Sequence, residues 1–118
     1  MKIYKRLRVE HIFLNAALND KDEVFHFVAD TFTRSGVVDN AALLYESMVE
    51  RERTMSTGIG NRIGIPHAAS SEATHPAVIL IRLADPIDFE ALDGLPVDII
   101  LALVVPENQT SLHIQILL

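Results

Sequence analysis

The chain has 118 residues, 49% of them hydrophobic and 22% charged, which suits one compact domain over 1–118 and excludes wholesale disorder. A formal net charge of −6 argues against nucleic acid and anionic lipid as partners, because both recruit Lys and Arg. Cysteine is absent, so disulfides, zinc–thiolate sites and thiol catalysis are excluded.

The N-terminus, Met1-Lys2-Ile3-Tyr4-Lys5-Arg6, carries charges with no apolar run behind them, so no signal peptide is expected. The longest apolar run, Ile99 to Val105, is too short to span a bilayer, which needs about 20 residues. A cytoplasmic chain without direct membrane insertion is the expectation. Asn19-Asp20-Lys21-Asp22-Glu23 offers capping side chains and early acids for a first helix. Val24, Phe25, Val28, Ala29 and Phe32 follow at helical spacing, and Gly36 is a natural stop. Asp39 can cap a second helix with Ala42, Leu43, Leu44, Met48 and Val49 as its apolar face and Arg51 and Arg53 in its last turn.

Ser56-Thr57-Gly58-Ile59-Gly60-Asn61 has the composition of a loop, and Ile63-Gly64-Ile65 that of a short strand ended by Pro66. Ala77 to Leu83 and Val97 to Val105 are β-branched runs of strand length, expected to be buried on both faces, with a turn at Asp93-Gly94. Thr110 can cap a last helix from Ser111-Leu112-His113, about two turns long at Leu118, and a missing C-terminal segment is expected. This order of elements predicts an α/β (α+β) fold with a mixed β-sheet flanked by helices.

His67 is the focus for chemistry. Pro66 fixes its own φ and biases Ile65 toward an extended backbone, so the imidazole is expected on a stiff strand end, presented at an edge. A neutral imidazole near its ordinary pKa of about 6.5 is a good phosphoryl acceptor. The added charge needs donors, which Arg51 and the glycine-loop residues Ser56, Thr57, Gly58 and Gly60 can supply. Taken alone, His67 also fits an ordinary loop histidine, and the glycines fit a turn that simply needs positive φ. The loop is neither a dinucleotide fingerprint nor a P-loop. His113, at the start of the last helix, can face an anion there or simply pack on the surface. The other histidines have no metal-ligand spacing, and Asp85, Asp88, Glu90 and Asp93 suit a solvated acidic rim better than a catalytic pair.

The segment Arg51-Glu52, Ser56-Thr57-Gly58-Ile59-Gly60-Asn61 and Ile63-Gly64-Ile65-Pro66-His67-Ala68 resembles the active-site signature of enzyme IIA domains of the mannitol–fructose class (type 2). These serve the bacterial phosphoenolpyruvate-dependent sugar phosphotransferase system and include a nitrogen-regulatory branch. Pro86-Ile87-Asp88-Phe89, Asp93-Gly94-Leu95-Pro96-Val97-Asp98 and Val105-Pro106-Glu107 followed by His113 resemble the family's later landmarks, so the resemblance covers nearly the whole chain in order. It implies a three-layer sandwich with a mixed sheet between helices. It implies that His67 carries the phosphoryl group, that Arg51, sixteen residues earlier, stabilises its charge, and that His113, forty-six residues later, lies beside it. It further implies a histidine-containing phosphocarrier protein as donor and an enzyme IIB domain as acceptor, with in-line transfer and no cofactor or metal. Gly64 stands where Ala is usual, Arg62 where a small residue is common, and relatives continue beyond Leu118. A sugar-transport subunit and a regulatory, nitrogen-related enzyme IIA are both consistent with these residues. The Val-Pro-Glu, Thr and His stretch leans toward the second, while Arg51, His67 and His113 together count against a non-catalytic domain sharing the fold.

Overall fold

The computed structural model describes residues 6–109. A short 3-10 turn, Val9–His11, leads into β1 (Ile12–Ala16), α1 (Lys21–Arg34), α2 (Ala41–Thr54), β2 (Gly58–Gly60), β3 (Ile63–Gly64), β4 (His67–Ser70), β5 (Ala77–Ile87) and β6 (Val97–Pro106). The strands form one mixed sheet in the order β1-β5-β6-β3-β2, with β4 also on β6. β5 and β6 are antiparallel, β1 runs parallel to β5, and β3 and β4 both run parallel to β6. This is the expected α+β architecture with a mixed sheet. The expected last helix from Thr110, with His113 on it, lies outside the described residues, and so does the third layer it would supply.

α1 begins where the capping chemistry predicts. Asp20 accepts the Glu23 amide at 2.8 Å and Glu23 returns a carboxylate oxygen to the Asn19 amide at 3.1 Å, a reciprocal arrangement close to a capping box. The helix ends in a Schellman pattern: Gly36, at φ 81°, donates to Thr33 O, and Val37 donates to Phe32 O. α2 is capped by Asn40 rather than Asp39, with Asn40 Oδ1 accepting the Leu43 amide at 3.1 Å. Asp and Asn cap about equally well, so the type of side chain could not choose between neighbours. The buried face of α2 also differs in part from the expected one. Leu44 and Met48 are buried and Ala41, Tyr45 and Val49 pack beside them, whereas Ala42 and Leu43 face solvent.

Both helices pack on one face of the sheet. Val24, Val28, Phe32, Leu44 and Met48 meet Ile79, Ile81, Ile100, Ala102 and Val104 in a single core. Burying a side chain such as Phe32 stabilises the fold by about 1.5–3 kcal/mol. On the opposite face Val78 and Leu103 form a second, smaller cluster with Leu7, Ile65 and Leu101. Farther along that face Arg82 and Ile99 are exposed, so β5 and β6 are buried on both sides only over part of their length.

Three strands lie where the sequence predicts none: β1, β2, and β4, which resumes beyond Pro66 where the short strand is expected to end. β1 is five residues long and is interrupted by Asn15 at φ 58°, which breaks its alternation and shifts its register on β5. β2 lies where the composition predicts a loop. It pairs with β3 through a hairpin whose central residues, Asn61 and Arg62, have φ of 56° and 69°, the pattern of a type I′ turn.

Candidate active site

His67 opens β4 directly after Pro66, and the local backbone explains its setting. Ile63 pairs with Ile99, Gly64 with Ile100, His67 with Leu103 and Ser70 with Pro106. The offset is constant, so β3 and β4 are one strand in register, interrupted at Ile65 and Pro66. Across the break, Leu103 N–H donates to Pro66 O at 3.0 Å. Paired residues of neighbouring strands share a face, so His67 stands on the face of Leu103 and Val78, away from the core of the two helices.

The imidazole Nδ1 lies 2.8 Å from Ile65 O. A carbonyl only accepts, so this bond places the ring proton on Nδ1 and the basic lone pair on Nε2. The residue is 7% exposed, so the ring is recessed at the strand end rather than openly displayed there.

Arg51 lies in the last turn of α2, and one of its five N–H donors, on Nη1, reaches Met55 O at 2.9 Å. The loop residues are already engaged by their own surroundings. Ser56 Oγ donates to Phe89 O at 2.6 Å and accepts the Gly58 amide at 3.0 Å. Thr57 donates twice to Glu52, from N to Oε2 at 2.9 Å and from Oγ1 to Oε1 at 2.6 Å. Gly58 is a glycine for close packing: a Cβ there would lie 2.9 Å from Ala91 Cα. Gly60 holds φ at 100°, which a side chain disfavours. His113 falls outside the described residues.

Glu52 and Lys21 were not singled out by sequence. The Glu52 side chain is 9% exposed and Lys21 Nζ reaches its Oε2 at 2.9 Å, while the same ammonium lies 4.7 Å above the Phe89 ring. Only the Arg51-Glu52 pair five residues before Thr57 hints at this in the sequence. Arg62 points to Asp98 at 2.9 Å, where the two raise the guanidinium pKa and lower the carboxyl pKa. Of the acidic residues in the 85–93 segment, Asp88 accepts the Glu90 amide, Asp93 accepts the amides of Asn61 and Leu95, and Glu90 lies 3.5 Å from Lys21 Nζ. His11 is buried with its ring edge-on to Phe32, and His26 stacks on Tyr45. Among the described residues no three His, Asp or Glu side chains converge as metal ligands, and no helix is long and apolar enough to cross a membrane.

A mixed sheet with two helices on one face, and a histidine opening a strand behind a proline, defines an α+β domain built around one oriented imidazole. The chain belongs to the EIIA 2 family of the phosphoenolpyruvate-dependent sugar phosphotransferase system, whose family model matches residues 5–118. It is 38% identical over 104 residues to a nitrogen regulatory protein of Pseudomonas aeruginosa, covering 88% of this chain and 68% of that protein. It is 31% identical over 117 residues to the fructose-specific EIIABC component of Bacillus subtilis, covering 99% of this chain and 18% of that protein. Among solved structures, the nitrogen regulatory protein IIA-Ntr of Neisseria meningitidis superposes with a TM-score of 0.87 at 32% identity, over 94% of this chain and 75% of that one. Mannitol IIA of Escherichia coli shares the fold, with a TM-score of 0.76 at 21% identity over 92% and 78% of the two chains.

Proposed function

We propose that this chain, as a single domain over 1–118, is a cytoplasmic phosphocarrier that accepts a phosphoryl group on His67 and passes it on. The observation that carries this reading is the Nδ1 bond to Ile65 O at 2.8 Å, which points the nucleophilic lone pair through Nε2. The donor is a histidine-containing phosphocarrier protein and the acceptor an enzyme IIB domain. The Nε2 lone pair attacks phosphorus in line as the donor's P–N bond breaks and returns its electron pair to the donor ring. The Nδ1 proton stays in place, and Ile65 O steadies the positive charge the ring gains. Charge on the equatorial oxygens is met by Arg51 and His113. Ser56, Thr57, Gly58 and Gly60 shape the phosphoryl-binding loop. The recessed position of the ring limits water access and so slows hydrolysis of the phosphohistidine. No metal or organic cofactor takes part.

The second reading, a regulatory protein whose phosphorylation state is sensed by partners, draws on its own observation. The nitrogen regulatory protein of P. aeruginosa is more identical to this chain than the fructose component is, at 38% against 31%. Both readings use the same His67 chemistry and differ in the acceptor. Labelling with a phosphorylated carrier protein tests the shared step, and adding an enzyme IIB domain separates the two, because only the transport reading requires the label to move onward.

A further inference from the structure

Thr57 and Ile65 face each other one step beyond the paired residues Gly58 and Gly64 of the β2–β3 hairpin. In a regular antiparallel ladder such a pair exchanges two hydrogen bonds. One of them is made, from Ile65 N–H to Thr57 O at 2.9 Å. The groups of the other are both diverted. Thr57 N–H turns to Glu52 Oε2 at 2.9 Å, and Ile65 O receives His67 Nδ1 at 2.8 Å.

We infer that Glu52 is a positioning residue for His67: by drawing Thr57 N–H out of the ladder, it leaves the Ile65 carbonyl to orient the imidazole. Three features support this role over a merely local loop contact. Glu52 grips Thr57 twice, through the amide and through Oγ1 at 2.6 Å, so the diversion is held at two points. Its carboxylate is nine-tenths buried and its charge is balanced by Lys21 at 2.9 Å, so the grip is rigid and sheltered from water. The path to the ring is short and continuous, passing from Glu52 through the peptide of Thr57 and the two polar groups of Ile65 to Nδ1. Without Glu52, Thr57 N–H is a buried donor whose nearest ladder partner is the oxygen that now holds His67. Competition for that oxygen loosens the ring and lets the proton move to Nε2, the atom that must be the nucleophile.

The inference rests on His67 being the phosphoryl acceptor, and its test separates the two claims. Nitrogen-15 labelled histidine reports the His67 tautomer by long-range proton–nitrogen correlation in the unphosphorylated protein, and labelling by a phosphorylated carrier reports transfer. Wild type is expected to carry its proton on Nδ1. Glu52→Ala is expected to raise the Nε2–H share about fivefold, the scale of one net hydrogen bond, and to slow labelling about tenfold through lost orientation. Glu52→Gln, near-isosteric and able to keep one acceptor, retains the fold and gives a smaller shift in the same direction. Thr57→Val, which removes only the hydroxyl grip, does likewise. A tautomer unchanged in Glu52→Gln and Thr57→Val with native amide spectra would overturn the inference. A shifted tautomer with an undiminished labelling rate would overturn its link to transfer. Wild type that takes no label defeats the acceptor reading, while the tautomer comparison still decides what Glu52 does.

Discussion

Asn61 donates its backbone N–H to Asp93 Oδ2 at 2.9 Å, and that bond fastens the hairpin beside the His67 strand to the turn before β6. The Asn61 amide, and after it the Leu95 amide, holds the Asp93 carboxyl below the usual carboxylate range. Asp98 is lowered likewise by the Arg62 guanidinium. A depressed carboxylate pKa stabilises the fold at pH above its unfolded value, about 3.9, and that contribution is lost as pH falls through the folded value. The Tm of wild type is therefore expected to fall as pH drops from about 5 toward 3, and that of Asp93→Asn to fall less steeply over the same window. Thermal melts at matched ionic strength check this.

Gly58→Ala drives a methyl into Ala91, whose Cα lies 2.9 Å from the added carbon. A backbone atom cannot swing aside as a side-chain tip can. The substitution is expected to destabilise by about 1–3 kcal/mol, measured by urea denaturation, with the m-value unchanged.

Arg51→Ala is expected to slow labelling of His67 at least about tenfold while leaving the fold intact, because charge on the transferring group loses its guanidinium partner. The exposed bond from Arg51 to Met55 O contributes at most about 0.5–1.5 kcal/mol to stability. Arg51→Lys restores charge without the planar fork and is expected to recover only part of the rate. Rapid-quench labelling and a thermal melt, run on the same preparations, check both halves.

The phosphoryl group is expected on Nε2 of His67, since Nδ1 is turned to Ile65 O at 2.8 Å. Phosphorus and nitrogen NMR of the labelled protein distinguish the two ring positions, and a group found on Nδ1 contradicts the tautomer assigned here.

Where local chemistry and tertiary context agree, the amino-acid order was enough. α1 lies between its cap Asp20 and the stop at Gly36 as those residues foretell, and β5 and β6 lie on the two longest β-branched runs. Context decided the rest. The start of α2 fell to Asn40 rather than Asp39, equivalent caps one residue apart, and packing against the sheet chose the side of Leu44 and Met48 for burial. β1 exists because β5 offers it a parallel partner, which a five-residue segment broken by Asn15 cannot advertise. At the site, Pro66-His67 and the glycine loop were conspicuous, but the roles of the loop residues were not. The contacts of Ser56 Oγ with Phe89 O and of Thr57 with Glu52 join residues from separate segments, and the composition of the loop does not encode them. Glu52 stands in the signature beside Arg51 but carries no role there, because its importance comes from a partner five residues away across the end of a helix, a relationship that periodicity does not encode.

The most direct test is one mass measurement: intact protein, wild type beside His67→Ala, after incubation with phosphoenolpyruvate and the general phosphocarrier proteins. Wild type is expected to gain the mass of a single acid-labile phosphoryl group and His67→Ala to gain none. An equal gain in both would contradict the assignment of His67 as the acceptor.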